Sequence, residues 1–270
     1  RIAQEMVLGI GGVKALRALG IETDVYHFNE GHALFAGFEL MREKLEAGKT
    51  YDDALAATRN EIVFTTHTPV VQGNESHYID RLLYMGADNN SFSKKQLKQL
   101  GGSPFNMTVG ALRLSRHSNA VAQLHAVTAN KMWSKVKDRS EFVGITNAIH
   151  QPTWVDPRMI QAAEKDGDLW NAHAENKRKL LEFVKERTGV QLKEDSLLIG
   201  FSRRAVPYKR SDLIFTNRPK IDSLFRSGKL QIIFSGKAHP LDDKGKQIVE
   251  NIVSLTRQYP NSVVFLENYD

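Results

Sequence analysis

The sequence predicts an α/β protein in which parallel β-sheets carry helices on both faces. Short apolar runs of strand length alternate with longer helical segments, and the alternation is most regular in the second half of the chain. A β-α-β-α-β order of this kind argues for a parallel sheet, because parallel neighbours need a crossover connection. The length of 270 residues accommodates two such domains.

The composition is that of a globular protein, with 41% hydrophobic and 25% charged residues. No apolar run approaches the roughly 18 residues that span a bilayer, and no secretory leader is visible. We therefore expect no membrane partner. The absence of cysteine excludes disulfides and fits a cytoplasmic protein. The net charge of +6 is spread along the chain, so we predict no nucleic-acid partner and favour a phosphate-sized anion.

The two ends of the chain suggest that it is an internal piece of a longer protein. It begins at Arg1, without a methionine, and it ends just after a strand-like apolar run. A strand of a parallel sheet needs covering on both faces. We therefore expect both sheets to be incomplete.

Several segments of the first half receive definite predictions. The glycine-rich residues 9–13 predict a turn, and residues 24–28 predict a strand. Asn29 is expected to cap a helix that starts directly after it. Residues 61–66 predict a buried strand, and residues 107–133 are predicted to be largely helical, with a break near Ser115.

The two halves are expected to join near residues 148–157, where Pro152 and Pro157 predict a turn-rich connector. We therefore assign residues 1–147 to a first lobe and residues 148–270 to a second. Strands are predicted at 142–146, 197–201, 230–234 and 262–266, and helices at 175–187, 212–225 (interrupted by Pro219) and 244–258.

His67 is the first candidate for a functional side chain. It follows the predicted strand 61–66, with Thr66 and Thr68 beside it. Ligands of open α/β sheets bind beyond the carboxyl ends of strands. A histidine that is simply hydrogen-bonded in a turn is the alternative interpretation. His32 and Asn147 also follow predicted strands, and helix capping or a polar connector would explain them equally well.

A group of cations forms the second candidate site. Arg203, Arg204, Lys209 and Arg210 follow a predicted strand, and Lys237 follows the next one. Arginine offers a planar fork and lysine a mobile point charge, and both bind phosphate. We expect a helix to begin here, whose free N–H groups would add to the anion site. A solvated basic turn is the alternative.

No metal site is predicted, because the histidines lack paired ligand spacing such as HExxH. His117 and His125 are predicted to lie on one helix, too far apart to form a ligand pair.

Taken in order, the motifs resemble those of the α-glucan (glycogen/starch) phosphorylase family, and they cover essentially the whole chain. The resemblance is closer to bacterial and archaeal members. It rests on Gln4-Glu5, Gly9-Ile-Gly-Gly12, Asn29-Glu-Gly-His32, Phe64-Thr-Thr-His-Thr-Pro69, Asn119-Ala-Val121, Ile145-Thr-Asn-Ala-Ile149, Arg203-Arg204 with Tyr208-Lys209-Arg210, Gly236-Lys237-Ala238 and Phe265-Leu-Glu-Asn268.

The resemblance implies two Rossmann-like lobes of the GT-B glycosyltransferase type, with the glucan on the first lobe and the phosphate and cofactor on the second. Members of the family cleave α-1,4-glucan with inorganic phosphate, releasing glucose 1-phosphate with retained configuration. They use pyridoxal phosphate attached to a lysine, and the cofactor's phosphate group serves proton transfer. The intact protein is expected to be a homo-oligomer.

The resemblance also implies roles for individual residues. His67 would contact the glucosyl unit, and Arg204 and Lys209 would hold the substrate phosphate. Asn147 and Tyr208 would hydrogen-bond sugar hydroxyls. Further substrate-binding candidates are Thr68 and His32, and cofactor-binding candidates are Arg203 and Trp154.

Two departures from the family pattern stand out. The family's Asn-Gly pairs read Asn119-Ala120 and Asn147-Ala148 here, so turns that need a positive φ would be strained. The resemblance places the cofactor-anchoring lysine outside these residues. We therefore expect the isolated chain to be inactive.

Two other functions remain open from the sequence. A nucleotide-sugar glucosyltransferase, such as a glycogen or starch synthase, would share the fold and an Arg–Lys anion site. A non-catalytic module that binds α-glucan or supports assembly would retain glucan affinity without turnover.

Overall fold

The computed structural model describes residues 1–67, 73–165 and 167–268. The chain divides into two compact units, Arg1–Ile149 and His150–Asp270, called unit 1 and unit 2 below. Each unit contains a parallel sheet connected by helices. The predicted α/β class with parallel sheets is therefore confirmed.

Unit 1 is built around a four-stranded sheet in the order β1-β2-β5-β6. All its neighbours are parallel. A separate antiparallel pair joins β3 to β4. The strands are β1 (Tyr26–Asn29), β2 (Ile62–Thr66), β3 (Ser76–His77), β4 (Phe105–Asn106), β5 (His117–Ala120) and β6 (Phe142–Gly144).

The helices of unit 1 connect these strands. They are α1 (Ile2–Met6), α2 (Gly12–Ala18), α3 (Leu34–Glu46), α4 (Tyr51–Glu61), α5 (Ile79–Tyr84), α6 (Lys94–Gly101), α7 (Met107–Arg113) and α8 (Gln123–Met132), with a π-helical turn at Val7–Gly11 and a 3₁₀ turn at Gly31–Ala33. Helix α3 forms the centre of the core, because Phe35 and Phe38 are fully buried there beside Phe64 of β2 and Phe105 of β4.

Unit 2 contains the sheet β7-β8-β9, also parallel throughout. Its strands are β7 (Leu197–Ser202), β8 (Leu230–Ser235) and β9 (Val263–Leu266), and its helices are α9 (Gln151–Trp154), α10 (Pro157–Glu164), α11 (Leu169–Thr188), α12 (Arg218–Ser227) and α13 (Asp243–Gln258).

The sheet of unit 2 is covered on both faces. Ile232 and Phe234 of β8 pack into one apolar cluster with residues of α12 and α13. Ile233, between them, packs into another cluster with Leu181 and Val184 of α11. Successive strand residues point to opposite faces, so one strand supplies both clusters. The burial of β8 on both faces explains its continuous apolar sequence.

Four local predictions were wrong. Residues 9–13 do not form a turn but continue a helix, because Gly9 lets the π-helical turn pack closely on α3: a Cβ there would lie 2.5 Å from the Ala36 nitrogen. Residues 107–133 are helical on both sides of the predicted break, in α7 and α8, but strand β5 lies between them, so His117 and His125 do not share a helix. Asn29 belongs to β1 rather than capping a helix, and α3 starts only at Leu34. The connector at residues 152–157 contains the short helix α9.

Pro219 does not interrupt a helix. It lies in the first turn of α12, which begins at Arg218. Proline fits this position because the first N–H groups of a helix have no partner within the helix. Among the described residues, no helix combines the length and the apolar character needed to cross a membrane.

Candidate functional site

The carboxyl edge of the unit 1 sheet places Glu30 beside His67. Glu30 directly follows β1 and His67 directly follows β2, which pair in parallel. The main-chain N–H of His67 donates to Glu30 Oε1 at 2.5 Å, and the Thr66 hydroxyl donates to Glu30 Oε2 at 3.5 Å. The Glu30 carboxylate therefore connects the end of β1 to the end of β2.

The backbone of Glu30 is unusual for a residue with a side chain. Its dihedral angles are φ 64° and ψ 176°, a combination found almost only in glycine. Such a conformation destabilises the fold by roughly 1–3 kcal/mol and persists where the surroundings determine it. Here the Glu30 N–H donates to the Thr65 carbonyl at 2.9 Å. The side chain is 9% exposed, so its charge needs the hydrogen bonds it receives.

A chain of hydrogen bonds links neighbouring strands at the same edge. The Thr65 hydroxyl donates to Asn119 Oδ1 at 2.6 Å, and His27 Nε2 lies 2.6 Å from that hydroxyl oxygen. Because the single hydroxyl proton is directed at Asn119, His27 Nε2 carries the proton that it shares with Thr65. These contacts hold β1, β2 and β5 in register.

His125 of α8 lies close enough to this edge to interact electrostatically with Glu30 and His67. Burial lowers the pKa of His125, while the nearby Glu30 charge acts in the opposite direction. Its Nδ1 accepts the Val121 N–H at 3.3 Å, so the neutral ring carries its proton on Nε2. Within the described part of the chain, Nε2 is buried without a hydrogen-bond partner.

Other predicted residues of unit 1 lie near the same edge. His32 follows β1, and its Nδ1 lies 3.2 Å from an Arg1 guanidinium nitrogen. Asn147 lies beyond β6 with an exposed side chain, and its main-chain N–H donates to the Val121 carbonyl at 3.2 Å. Thr68 lies outside the described residues.

The strain expected at the Asn-Ala pairs does not arise. Neither Ala120 nor Ala148 adopts a positive φ. Ala120 is the last residue of β5, where extended backbone suits any residue. The absence of glycine at these positions therefore has no conformational cost in this chain.

In unit 2, the loop after β7 is tied to the loop after β8. Arg203 N–H donates to the Ser235 carbonyl and Ala205 N–H donates to the Lys237 carbonyl, both at 3.0 Å. Parallel pairing thus continues beyond both strands. Arg203, Arg204 and Lys237 are consequently presented at one sheet edge.

The helix that we expected to begin at this loop is absent. The chain forms a 3₁₀ turn at Pro207–Lys209, followed by Arg210 in the left-handed region, and α12 begins only at Arg218. The N–H groups of a helix therefore do not follow the cations directly. The cations themselves remain as the anion-binding groups of the loop.

The loop after β7 carries four cations, Arg203, Arg204, Lys209 and Arg210, and none of them has an acidic partner among the residues the structure describes. Arg203, Arg204 and Arg210 are exposed, and Lys209 is partly exposed. Lys209 Nζ lies 5.1 Å from the centre of the Tyr208 ring, a cation–π distance. Unpaired charges of one sign at a sheet edge attract an anion from solution.

Trp154 is not joined to the cationic loop by any hydrogen bond or ion pair between described residues. It belongs to α9, and its side chain is 76% exposed. Tyr208, 49% exposed, does lie within the loop. Of the predicted residues of unit 2, Arg203, Arg204, Tyr208 and Lys209 therefore share one loop, whereas Trp154 belongs to a different element, α9.

Gly236 is required where the two loops of unit 2 meet. Its φ is +154°, and a Cβ there would lie 1.9 Å from the Arg203 carbonyl oxygen.

Gly236→Ala is expected to separate the loops and lower the free energy of unfolding by about 2 kcal/mol or more, as strain at a special backbone position does. Thermal unfolding measures the loss. Gly200→Ala in β7 is the matched control, because its Cβ would meet nothing within 4 Å; equal effects of both variants would contradict the prediction.

Glu30 and His125 were not predicted from the sequence to be functional residues. Glu30 lay in a motif attributed to helix capping. The sequence did contain one indication of a role for Glu30. This acidic residue lies directly after a predicted strand, at the edge of the sheet where ligands bind. For His125 there was no such indication, because strand β5 was not predicted and the position of α8 beside the sheet edge could not be inferred.

No group of three or more His, Cys, Asp or Glu side chains among the described residues could hold a metal ion.

Comparison with known proteins gives whole-chain similarity to α-glucan phosphorylases. Over the whole of its own length, the chain is 33% identical to the maltodextrin phosphorylase of Thermococcus litoralis and 31% identical to the glycogen phosphorylase of Aquifex aeolicus. It is 38% identical over 97% of its length to an uncharacterized protein of Methanocaldococcus jannaschii. No family model matches the chain.

These relatives confirm the resemblance that the motifs predicted. The chain is a two-unit α/β protein with a cationic sheet edge in unit 2. Over its whole length this chain is a relative of the maltodextrin and glycogen phosphorylases. It spans 38% to 49% of the length of the proteins named above.

Proposed function

We propose that this chain forms part of an α-glucan phosphorylase, an enzyme that cleaves terminal α-1,4-linked glucosyl units with inorganic phosphate and releases glucose 1-phosphate with retained configuration. The observation that carries this proposal is the similarity, over the whole length of this chain, to proteins named maltodextrin and glycogen phosphorylase. The two parallel-sheet units are compatible with the lobes of a GT-B glycosyltransferase.

In this proposal, unit 1 binds the glucan. His67 contacts the glucosyl unit, and its main-chain carbonyl lies near the positive charge that develops at the sugar. Asn147, His32 and Thr68 supply polar groups for the sugar hydroxyls. The exposed positions of the His67 and Asn147 side chains at the sheet edge support these roles.

Unit 2 binds the anions. Arg204 and Lys209 hold the substrate phosphate, and Tyr208 hydrogen-bonds a sugar hydroxyl. Arg204 and Lys209 have no acidic partner in the described part of the chain, which supports the assignment because internal ion pairs would compete with phosphate.

The residues present also fit the anionic half of pyridoxal phosphate. Arg203 offers a guanidinium without an acidic partner among the described residues, which suits the phosphate group. Trp154 belongs to a different element, α9, and its exposed indole is proposed for the cofactor's aromatic ring. When bound, this cofactor supplies a phosphate group that exchanges a proton with the substrate phosphate. Arg203 would hold that group in place and balance its charge.

The proposed function is tested with the full-length protein that carries this chain. Incubation with maltodextrin and inorganic phosphate is expected to release glucose 1-phosphate, with no product when phosphate is omitted. Transfer of glucose from a nucleotide sugar instead would favour the synthase-like alternative. Glucan binding without turnover under either condition would favour a binding or assembly module.

The isolated 270-residue chain is expected to have no phosphorolytic activity and to acquire no specific covalent cofactor. The reason is that the family resemblance places the anchoring lysine outside these residues. Borohydride reduction in the presence of pyridoxal phosphate, followed by peptide mapping, measures this. A single stoichiometrically labelled lysine together with phosphorolysis would contradict the prediction.

A further inference from the structure

Glu30 determines how the chain leaves strand β2. The Glu30 carboxylate accepts the main-chain N–H of His67 at 2.5 Å. That N–H belongs to the planar peptide unit between Thr66 and His67, so fixing it fixes the plane from which the His67 Cα projects. The Thr66 hydroxyl, 3.5 Å from the second carboxylate oxygen, supports the same arrangement from the preceding residue.

The acceptor is charged and nearly removed from water, which makes the contact stronger and more directional than a bond to a neutral oxygen. Glu30 is 9% exposed. Glu30 directly follows Asn29, the strand partner of Thr65, and its side chain reaches across the sheet edge to the His67 amide although its own backbone would suit glycine better. A side chain kept at a glycine-like position indicates that the carboxylate has a use that outweighs the strain.

We propose that Glu30 is a positioning residue for His67, acting through the main-chain amide of His67 to hold its Cα, and so its imidazole, in place at the carboxyl edge of the unit 1 sheet. The role of the positioned group in glucosyl transfer rests on the proposed function. The hydrogen bond itself does not. Glu30 touches neither substrate nor phosphate in this inference.

The substitution of Glu30 by glycine tests this role with little expected change in stability. Glu30→Gly removes the carboxylate and also relieves the strained backbone, so the two effects on stability oppose each other. If Glu30 acted only on the stability of the fold, a variant of nearly unchanged stability would keep its kcat. A positioning residue instead loses kcat while the melting temperature stays close to that of the wild type.

The experiment uses the full-length protein. Glu30→Gly is expected to lower kcat roughly 10- to 100-fold, because a reacting group displaced by about 1 Å loses activity on this scale. The glucan KM should change much less. Glu30→Gln keeps the shape and a neutral acceptor, so its kcat should lie between those of Glu30→Gly and the wild type.

Asp138→Gly is the matched control. Asp138 is also an acidic residue of unit 1 with a positive φ, 61°, but its side chain is exposed and accepts no side-chain hydrogen bond among the described residues. The control therefore also replaces an acidic residue of positive φ with glycine, and it removes the same charge. Its kcat should equal that of the wild type.

Amide hydrogen exchange gives a readout that does not depend on turnover. The peptide containing the His67 amide should exchange faster in Glu30→Gly than in the wild type or Asp138→Gly, since the amide loses its acceptor. If the wild type shows no phosphorolysis, the proposed function fails and this readout alone decides the inference. Unchanged exchange in Glu30→Gly, or faster exchange with unchanged kcat in an active enzyme, would overturn it.

Discussion

Replacing Arg204 with alanine in the full-length protein is expected to raise the phosphate concentration needed for half-maximal phosphorolysis by roughly 10- to 100-fold. A hydrogen bond between a charged donor and phosphate stabilises binding by about 1.5–3 kcal/mol, and the alanine variant loses it outright. Arg204 is exposed and has no acidic partner in the described chain, so its removal leaves no buried charge behind. Steady-state phosphorolysis with varied phosphate, at fixed ionic strength, measures the change.

Arg204→Lys separates geometry from charge. The net charge is unchanged, but lysine lacks the planar fork that orients phosphate oxygens. Its phosphate dependence should therefore lie between those of the wild type and Arg204→Ala. Glucan affinity measured without phosphate should change little in either variant.

Arg257→Ala is the matched control for this series. Arg257 lies in the last turn of α13, just before β9, and hence at the amino edge of the same sheet. Its side chain is exposed, so its replacement removes the same charge from the same unit. If Arg257→Ala and Arg204→Ala weaken phosphate use equally, and added salt removes both effects, the cationic loop is a solvated basic turn.

The apolar strands could be predicted because their sequences carry the physical signal of burial. Strand β8 is the clearest case, since both its faces pack against helices and every residue up to Phe234 is buried. Strand β5 carries no such signal. Its residues include Ser118 and Asn119, whose polar side chains are satisfied by Ser140 and Thr65. Tertiary pairing rather than propensity makes this segment a strand.

Positions of side chains at strand ends could be predicted in the same way, whereas contacts between elements could not. That His67 and Arg204 follow strands is evident from the apolar runs before them. That Glu30 accepts the His67 amide depends on which strands are neighbours and on their register. Nothing in the local sequence specifies either. The glycine-like backbone of Glu30 is likewise a product of the assembled edge.

The helix expected beside the cations was predicted from the sequence but does not form there. A strand end followed by polar residues predicted a helix N-terminus, but Pro207 and the left-handed Arg210 form a tight turn first. Proline at the start of a 3₁₀ turn and a positive φ directly after it interrupt helix propagation. The anion-binding potential of the loop therefore comes from side chains alone.

His67→Ala is expected to lower kcat on the order of 10²-fold or more, with a smaller change in glucan affinity. In the proposed function, His67 interacts more strongly with the glucosyl unit as charge develops than in the ground state. Such an interaction contributes to turnover rather than to substrate binding. Loss of one transition-state hydrogen-bond partner has an effect of this size in other enzymes.

The position of His67 makes this variant informative. Its side chain is exposed, and the contact with Glu30 uses the main-chain amide, which alanine retains. The fold and the positioning contact should therefore survive, so a loss of kcat reports on the imidazole itself. His117→Ala is the matched control, because His117 is an exposed histidine at the first position of β5 and lies at the opposite edge of the same sheet. Turnover is measured at saturating glucan and phosphate. A wild-type value for His67→Ala would make His67 a turn histidine without a role in the reaction. A loss confined to His67→Ala would instead place the reacting sugar beside the end of β2.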